Sequence, residues 1–101
     1  MSKPWKEHER RTAKRLGGIR NPLSGSMSQR TSGDIIHPNL YVECKYRSHI
    51  ALLTTMHNVE QCSLKEDKIP VLVLQQKHAK QAYLLIRIND LEKVYESVRH
   101  K

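Results

Sequence analysis

Ser32-Gly33-Asp34-Ile35-Ile36-His37-Pro38-Asn39-Leu40-Tyr41-Val42-Glu43-Cys44-Lys45-Tyr46 is the stretch whose reading decides the fold. Apolar residues flank Pro38-Asn39, two residues that suit the centre of a tight turn, so the segment reads as a hairpin. Pairing then runs outward as His37 with Leu40, Ile36 with Tyr41, Ile35 with Val42 and Asp34 with Glu43. Residues facing across antiparallel strands have Cβ atoms about 5 Å apart, and like charges there are destabilising unless something offsets them. A divalent cation would offset them. Alternation along the second strand puts Glu43, Lys45 and Arg47 on one face with Asp34, and Val42, Cys44 and Tyr46 on the other, in the core. Asp34, Glu43 and the main-chain carbonyl of Cys44, with open water positions, form a hard oxygen set that suits Mg²⁺ far better than zinc, with Mn²⁺ as a substitute.

A plainer reading stands beside this one: Asp34 caps a turn, while Glu43 and Lys45 are exposed ladder residues. The acidic-x-Lys triplet is common, and Glu66-Asp67-Lys68 repeats it. That second triplet lies in a charged stretch without apolar flanks and reads as a solvated connector. The hairpin and its facing Asp34 set the first triplet apart.

Upstream, Ser2 to Leu16 reads as a helix, with Ser2 as a cap, Pro4 in the first turn and Gly17-Gly18 as the stop. Trp5, Ala13 and Leu16 make its apolar stripe. Glu9 stands between Trp5 and Ala13 on an i, i+4 row, so its carboxylate is on or beside that stripe and needs a partner. The metal site is one candidate, and Arg10 or Arg47 is another. Lys6, Arg10, Arg11, Lys14 and Arg15 occupy the other faces, to meet phosphates or water. The polar run from Arg20 to Gly33 is a loop, within which one of Ser24, Ser26 and Ser28, together with Arg30, would touch phosphate; a short strand is expected near Ile19 to Pro22.

Downstream, Leu52 to Lys65 reads as a helix with Leu53, Met56 and Val59 at helical spacing, and Gln61 on it either faces the site or is a surface residue. Ile69 to Leu74 and Tyr83 to Ile88 read as buried strands, and Lys77 and Lys80 sit in the turn between them. Asn89 with Glu92 reads as a capping box for a last helix with Leu91, Val94, Tyr95 and Val98 buried. The result is one domain spanning 1–101: an α/β fold with a mixed sheet flanked by helices.

Eighteen Lys and Arg against ten Asp and Glu give a formal charge of +8, which draws a protein toward polyanions, DNA first. No segment approaches the ~20 apolar residues of a spanning helix, so no membrane partner is expected. Cys44 and Cys62 lack zinc-ligand spacing and point to a reducing cytoplasm. The six histidines show no metal-ligand spacing and read as mostly surface residues. With no Phe and one Trp, the chain lacks base-stacking platforms, so recognition of the phosphate backbone is expected. A chain of this size gains from burial against a partner subunit, so a homodimer is plausible.

Ser32-Gly33-Asp34-Ile35-Ile36 followed by Tyr41-Val42-Glu43-Cys44-Lys45 resembles the core motif of the PD-(D/E)XK nuclease superfamily. With a preceding helix that carries Glu9, it is similar to archaeal-type and phage Holliday junction resolvases. Gly33 stands where the motif's name has Pro. The resemblance implies a restriction-endonuclease-like αβββαβ core and an Mg²⁺-dependent endodeoxyribonuclease without organic cofactor. It implies that Asp34, Glu43 and the Cys44 carbonyl hold the metal, that Glu9 is a further ligand, and that Lys45 orients or deprotonates the attacking water. Branched DNA, a two-fold dimer and a bacterial, archaeal or phage-infected cytoplasm follow from the same resemblance. Arg10, Arg11, Lys14, Ser24, Ser26, Arg30, Arg47 and Gln61 are the expected DNA contacts. A nuclease acting on nicked, flapped or plain duplex, and a non-catalytic basic DNA-binding module, are the alternatives.

Overall fold

The computed structural model describes residues 3–22 and 31–99. The elements follow as α1 (Pro4–Leu16), β1 (Ile19–Arg20), β2 (Ile35–Ile36), β3 (Leu40–Arg47), α2 (Leu52–Glu66), β4 (Ile69–Gln76), β5 (Ala82–Leu85), a 3₁₀ turn (Ile88–Asp90) and α3 (Leu91–Val98). One five-stranded mixed sheet runs in the order β1-β2-β3-β4-β5. All neighbours are antiparallel except β3 and β4, which are parallel. A parallel pair cannot be closed by a tight turn, and α2 supplies the crossover.

The two middle strands are buried on both faces. On one face Leu40, Val42 and Cys44 of β3 and Val71 and Val73 of β4 meet Ala13 and Leu16 of α1 and Val94 of α3. On the other, Tyr41 and Leu72 meet Met56 and Val59 of α2. Burial on both faces explains why Leu40-Tyr41-Val42 and Val71-Leu72-Val73 are unbroken apolar runs. Each fully buried aliphatic side chain there stabilises the fold by about 1.5–3 kcal/mol.

α1 starts at Pro4, with Lys3 extended before it, and the expected Ser2 cap lies outside the described residues. It stops where expected: Gly17 is left-handed at φ 80°, and the Gly18 N–H donates to the Ala13 carbonyl at 2.9 Å. The hairpin register also matches the turn chemistry, with Ile35 opposite Val42. His37 builds that turn. Its Nδ1 accepts from the Asn39 N–H at 3.0 Å and the Leu40 N–H at 3.2 Å, while its Nε2–H donates to the Leu16 carbonyl at 3.1 Å.

Several expectations are corrected. His8 and His37 are buried, at 1 % and 3 % exposure, because both polar edges of each ring find partners inside; they are not surface residues. Trp5, Leu53, Leu91 and Tyr95 are exposed, since α1, α2 and α3 each turn a narrower stripe to the sheet than their apolar residues suggest. The last strand spans Ala82–Leu85 rather than Tyr83 to Ile88, and it is an exposed edge, not a buried strand. Asn89 and Glu92 form no capping box: the chain enters α3 through the 3₁₀ turn, and Asp90 spends its carboxylate on Arg87 Nε at 2.7 Å.

Glu66 is no solvated connector. Its Oε2 accepts from the Ser32 N–H at 2.9 Å and its Oε1 accepts from the Thr31 hydroxyl, which pins the segment entering β2 to the end of α2. Those bonds hold the Glu66 carboxyl below its ordinary value despite the opposing effect of burial.

Candidate active site

Asp34 precedes β2 and is held on three sides. Its N–H donates to the Val42 carbonyl, its carbonyl accepts from the Asn21 N–H, and its Oδ2 accepts from the Cys44 N–H, each at 2.8 Å. Gly33 beside it must lack a side chain, because a Cβ there would come within 2.9 Å of the Val42 carbonyl oxygen. The ladder between β2 and β3 pairs only Ile35 with Val42, and Asp34 reaches past the position opposite Glu43 to the next amide.

Both carboxylates nevertheless line one cleft of about 760 Å³. Lys45 lines it too, with Nζ 3.2 Å from Glu43 Oε2. Glu9 enters from α1 and is 8 % exposed. Its partner is Arg20 of β1, whose Nε donates to Glu9 Oε1 at 2.8 Å, so neither Arg10 nor Arg47 fills that role. Arg10 is ion-paired with Glu7.

The electrostatics follow from this crowding. Burial first, then the Glu43 charge, push the Asp34 carboxyl up from 3.8 to about 7, against the pull of the Cys44 N–H and with Glu9 adding repulsion. Glu9 is also raised, by burial, which Arg20 partly counters. Burial and the Asp34 charge push the Cys44 thiol far above its usual range, so this cysteine serves as core and backbone rather than as a nucleophile.

Among the described residues no group of three or more His, Cys, Asp or Glu side chains is gathered closely enough to hold an ion. A closed cage for zinc is therefore not formed by them. Mg²⁺ needs less: it is bound through one or two carboxylates, and keeps several waters or takes phosphate oxygens. Asp34 and Glu43, both hard oxygen donors, fit that description, with Glu9 lining the same cleft.

The other expected contacts divide. Arg47 is exposed at the cleft, and the turn after β4 adds Lys77 and His78. The His78 N–H donates to the Tyr46 hydroxyl at 3.2 Å and so fixes this turn over the end of β3. Arg11 and Lys14 line a different groove, on the β5 side of α1. Gln61 is exposed on α2 and does not line the cleft. Ser24, Ser26, Ser28 and Arg30 lie outside the described residues. Sequence reasoning missed Arg20, which nothing in its local context marks, and His8, which the row His8, Thr12 and Leu16 could have placed on the buried stripe.

Compared with models of protein families, the sequence matches none, and a search of curated proteins likewise finds no match.

Proposed function

We propose that the protein is a divalent-metal-dependent DNA endonuclease, with Asp34 and Glu43 as metal ligands, Glu9 as a supporting carboxylate and Lys45 beside the reacting phosphate. One observation carries this reading: in a chain of net charge +8, Asp34 and Glu43 share a cleft with Lys45, and Asp34 is raised to about 7 by burial and by Glu43. Without a cation these groups would repel a phosphate. The element order α-β-β-β-α-β, completed by β5 and α3, is the order that a PD-(D/E)XK core would have. The plain binding module accounts for the charge but not for carboxylates at the place DNA approaches.

Hydrolysis adds a water oxygen to phosphorus and breaks one phosphorus–oxygen ester bond, leaving a phosphate on one side and a hydroxyl on the other. When bound, Mg²⁺ supplies Lewis acidity toward a phosphoryl oxygen and acidifies water. Lys45 supplies positive charge to the phosphate as negative charge develops on it. The Cys44 N–H and Arg20 hold Asp34 and Glu9 in place, so neither carboxylate must reorganise when DNA arrives.

The substrate within this reading is branched DNA, cut by a two-fold dimer that supplies two symmetric sites. Ile88, Leu91 and Tyr95, exposed at 82 %, 55 % and 59 %, follow one another at helical spacing and offer an apolar surface for the second copy. Wild type, Glu43→Ala and Lys45→Ala are incubated with a four-way junction and with linear duplex, each with Mg²⁺ or EDTA. Magnesium-dependent cutting that both variants lose is expected. Absence of such cutting on any substrate would sink the reading, and equal cutting of both substrates would remove the preference for branches.

A further inference from the structure

We propose that the groove between α1 and β5 is a second track for nucleic-acid backbone, which holds the DNA that flanks the phosphate in the cleft. The groove, about 600 Å³, is lined by Arg11, Lys14 and Arg15 of α1 and by Lys80 before β5, and among the described residues no carboxylate lines it. The neighbouring cleft, by contrast, mixes three carboxylates with Lys45, Arg47 and Lys77. Lys14 and Arg15 alone would be explained by the negative end of the helix dipole. Arg11 and Lys80 are not, because one lies mid-helix and the other on a separate connection.

The groove is also built rather than incidental. Gln75 of β4 is 5 % exposed, and its Nε2 donates to the Ala79 carbonyl at 2.7 Å. Its Oε1 accepts from Arg11 Nη2 at 3.0 Å. A buried amide thus fixes the guanidinium at the groove and ties α1 to the turn that carries Lys80. A guanidinium has five N–H donors, so one spent on Gln75 leaves others for phosphate oxygens. Tyr83, 63 % exposed on the edge strand, adds an aromatic face to the same wall.

His8 lines both the groove and the cleft, so the two meet at one side chain. A backbone whose reacting phosphate sits by Asp34 and Glu43 has the cationic groove next to it, on the other side of the buried His8. The position of that reacting phosphate rests on the nuclease reading; the preference for a polyanion rests on the lining alone.

Binding of a fluorescein-labelled duplex to the full chain is measured by anisotropy in EDTA, over a series of salt concentrations. Lys14→Gln/Lys80→Gln removes two charges from the groove, and Lys65→Gln/Lys93→Gln removes two exposed charges elsewhere. Each phosphate contact contributes about 0.9 to the slope of log affinity against log salt, so the groove pair should lower the slope by about 1.8. A roughly sixtyfold weaker complex for the groove pair near 0.1 M salt, which is what a slope lower by about 1.8 implies relative to 1 M, is expected, with less than about a twofold change for the control pair. Equal losses for both pairs, no loss for either, or no measurable binding by wild type would overturn the track. So would a groove-pair defect confined to phosphatidylserine vesicles, with DNA binding intact. If the selective loss is found but wild type never cuts with Mg²⁺, the track stands and the nuclease reading falls. If wild type cuts and the two pairs bind alike, the reverse holds.

Discussion

Asp34 Oδ2 accepts a hydrogen bond from the Cys44 N–H at 2.8 Å, one residue beyond the Glu43 whose charge raises it. The carboxylate therefore fastens β3 to the segment before β2, and the same group is the one proposed to hold metal. Its structural and its chemical service can be separated, because an amide keeps the acceptor and loses the charge.

Asp34→Asn should be more stable than Asp34→Ala by about 1–3 kcal/mol in EDTA, since alanine leaves the Cys44 N–H without its acceptor. Both should lose magnesium-dependent cutting. The asparagine variant should also exceed wild type by an amount that depends on pH. The folded carboxyl titrates at about 7 against 3.8 for the ordinary group, so wild type loses stability as pH rises through that interval. In urea melts the advantage of Asp34→Asn grows from pH 4 to pH 7 and is constant above. A constant advantage across that range would count against the buried-pair account.

Mg²⁺ should raise the stability of wild type and leave Asp34→Asn and Glu43→Gln unchanged. At ten times its dissociation constant the ion adds about 1.4 kcal/mol, read as a shift in thermal midpoint. Equal shifts in all three proteins would show that magnesium acts elsewhere.

Arg20→Ala strips the cation from Glu9, a carboxylate 8 % exposed, and should cost about 1–3 kcal/mol in urea unfolding. Adding Glu9→Gln should recover part of that loss, because the unpaired charge is what makes the single change expensive. A cost for Arg20→Ala under about 0.5 kcal/mol would mean that the pair is solvated in practice.

His37→Ala removes the acceptor of two turn amides and the donor to Leu16, a loss of roughly 2 kcal/mol or more. Burial holds His37 below its ordinary 6.5, so the stability it contributes is complete above that value and falls as pH drops below it. His8 has the same sign. The acid-side slope of stability against pH should therefore be shallower in His37→Ala without vanishing, and NMR titration of the imidazole carbons should place both histidines below 6.5.

The hairpin and its Ile35–Val42 register were readable because Pro38-Asn39 decides them locally, and Asp34, Glu43 and Lys45 do line one cleft; yet Asp34 is not paired with Glu43 in the ladder, His37 of the turn is buried, and Tyr46 lines the cleft instead of the core. Partners supplied by distant segments were not readable. Arg20 finds Glu9 only after β1 joins the sheet, and Gln75 finds Arg11 only after β4 lies under α1. Tyr83-Leu84-Leu85 has the apolar character of a central strand, yet its exposure is set by whether another strand follows on its outer side, which no local pattern encodes. Glu66 fails as a connector for a similar reason: the amide and hydroxyl that bind it come from Thr31 and Ser32, on the far side of the hairpin in sequence.

The parallel pairing of β3 with β4 imposes an order of assembly. Glu9, Asp34, Glu43 and Lys45 all precede Tyr46, so every one of them has been joined to the chain before α2 is made. The strand that carries Glu43 and Lys45 has no neighbour on one flank until Ile69–Gln76 arrives, and long-range parallel pairing is slow to form. A nascent chain thus carries Glu9, Asp34, Glu43 and Lys45 ahead of their scaffold, and the proposed site is complete only when the second half of the polypeptide docks.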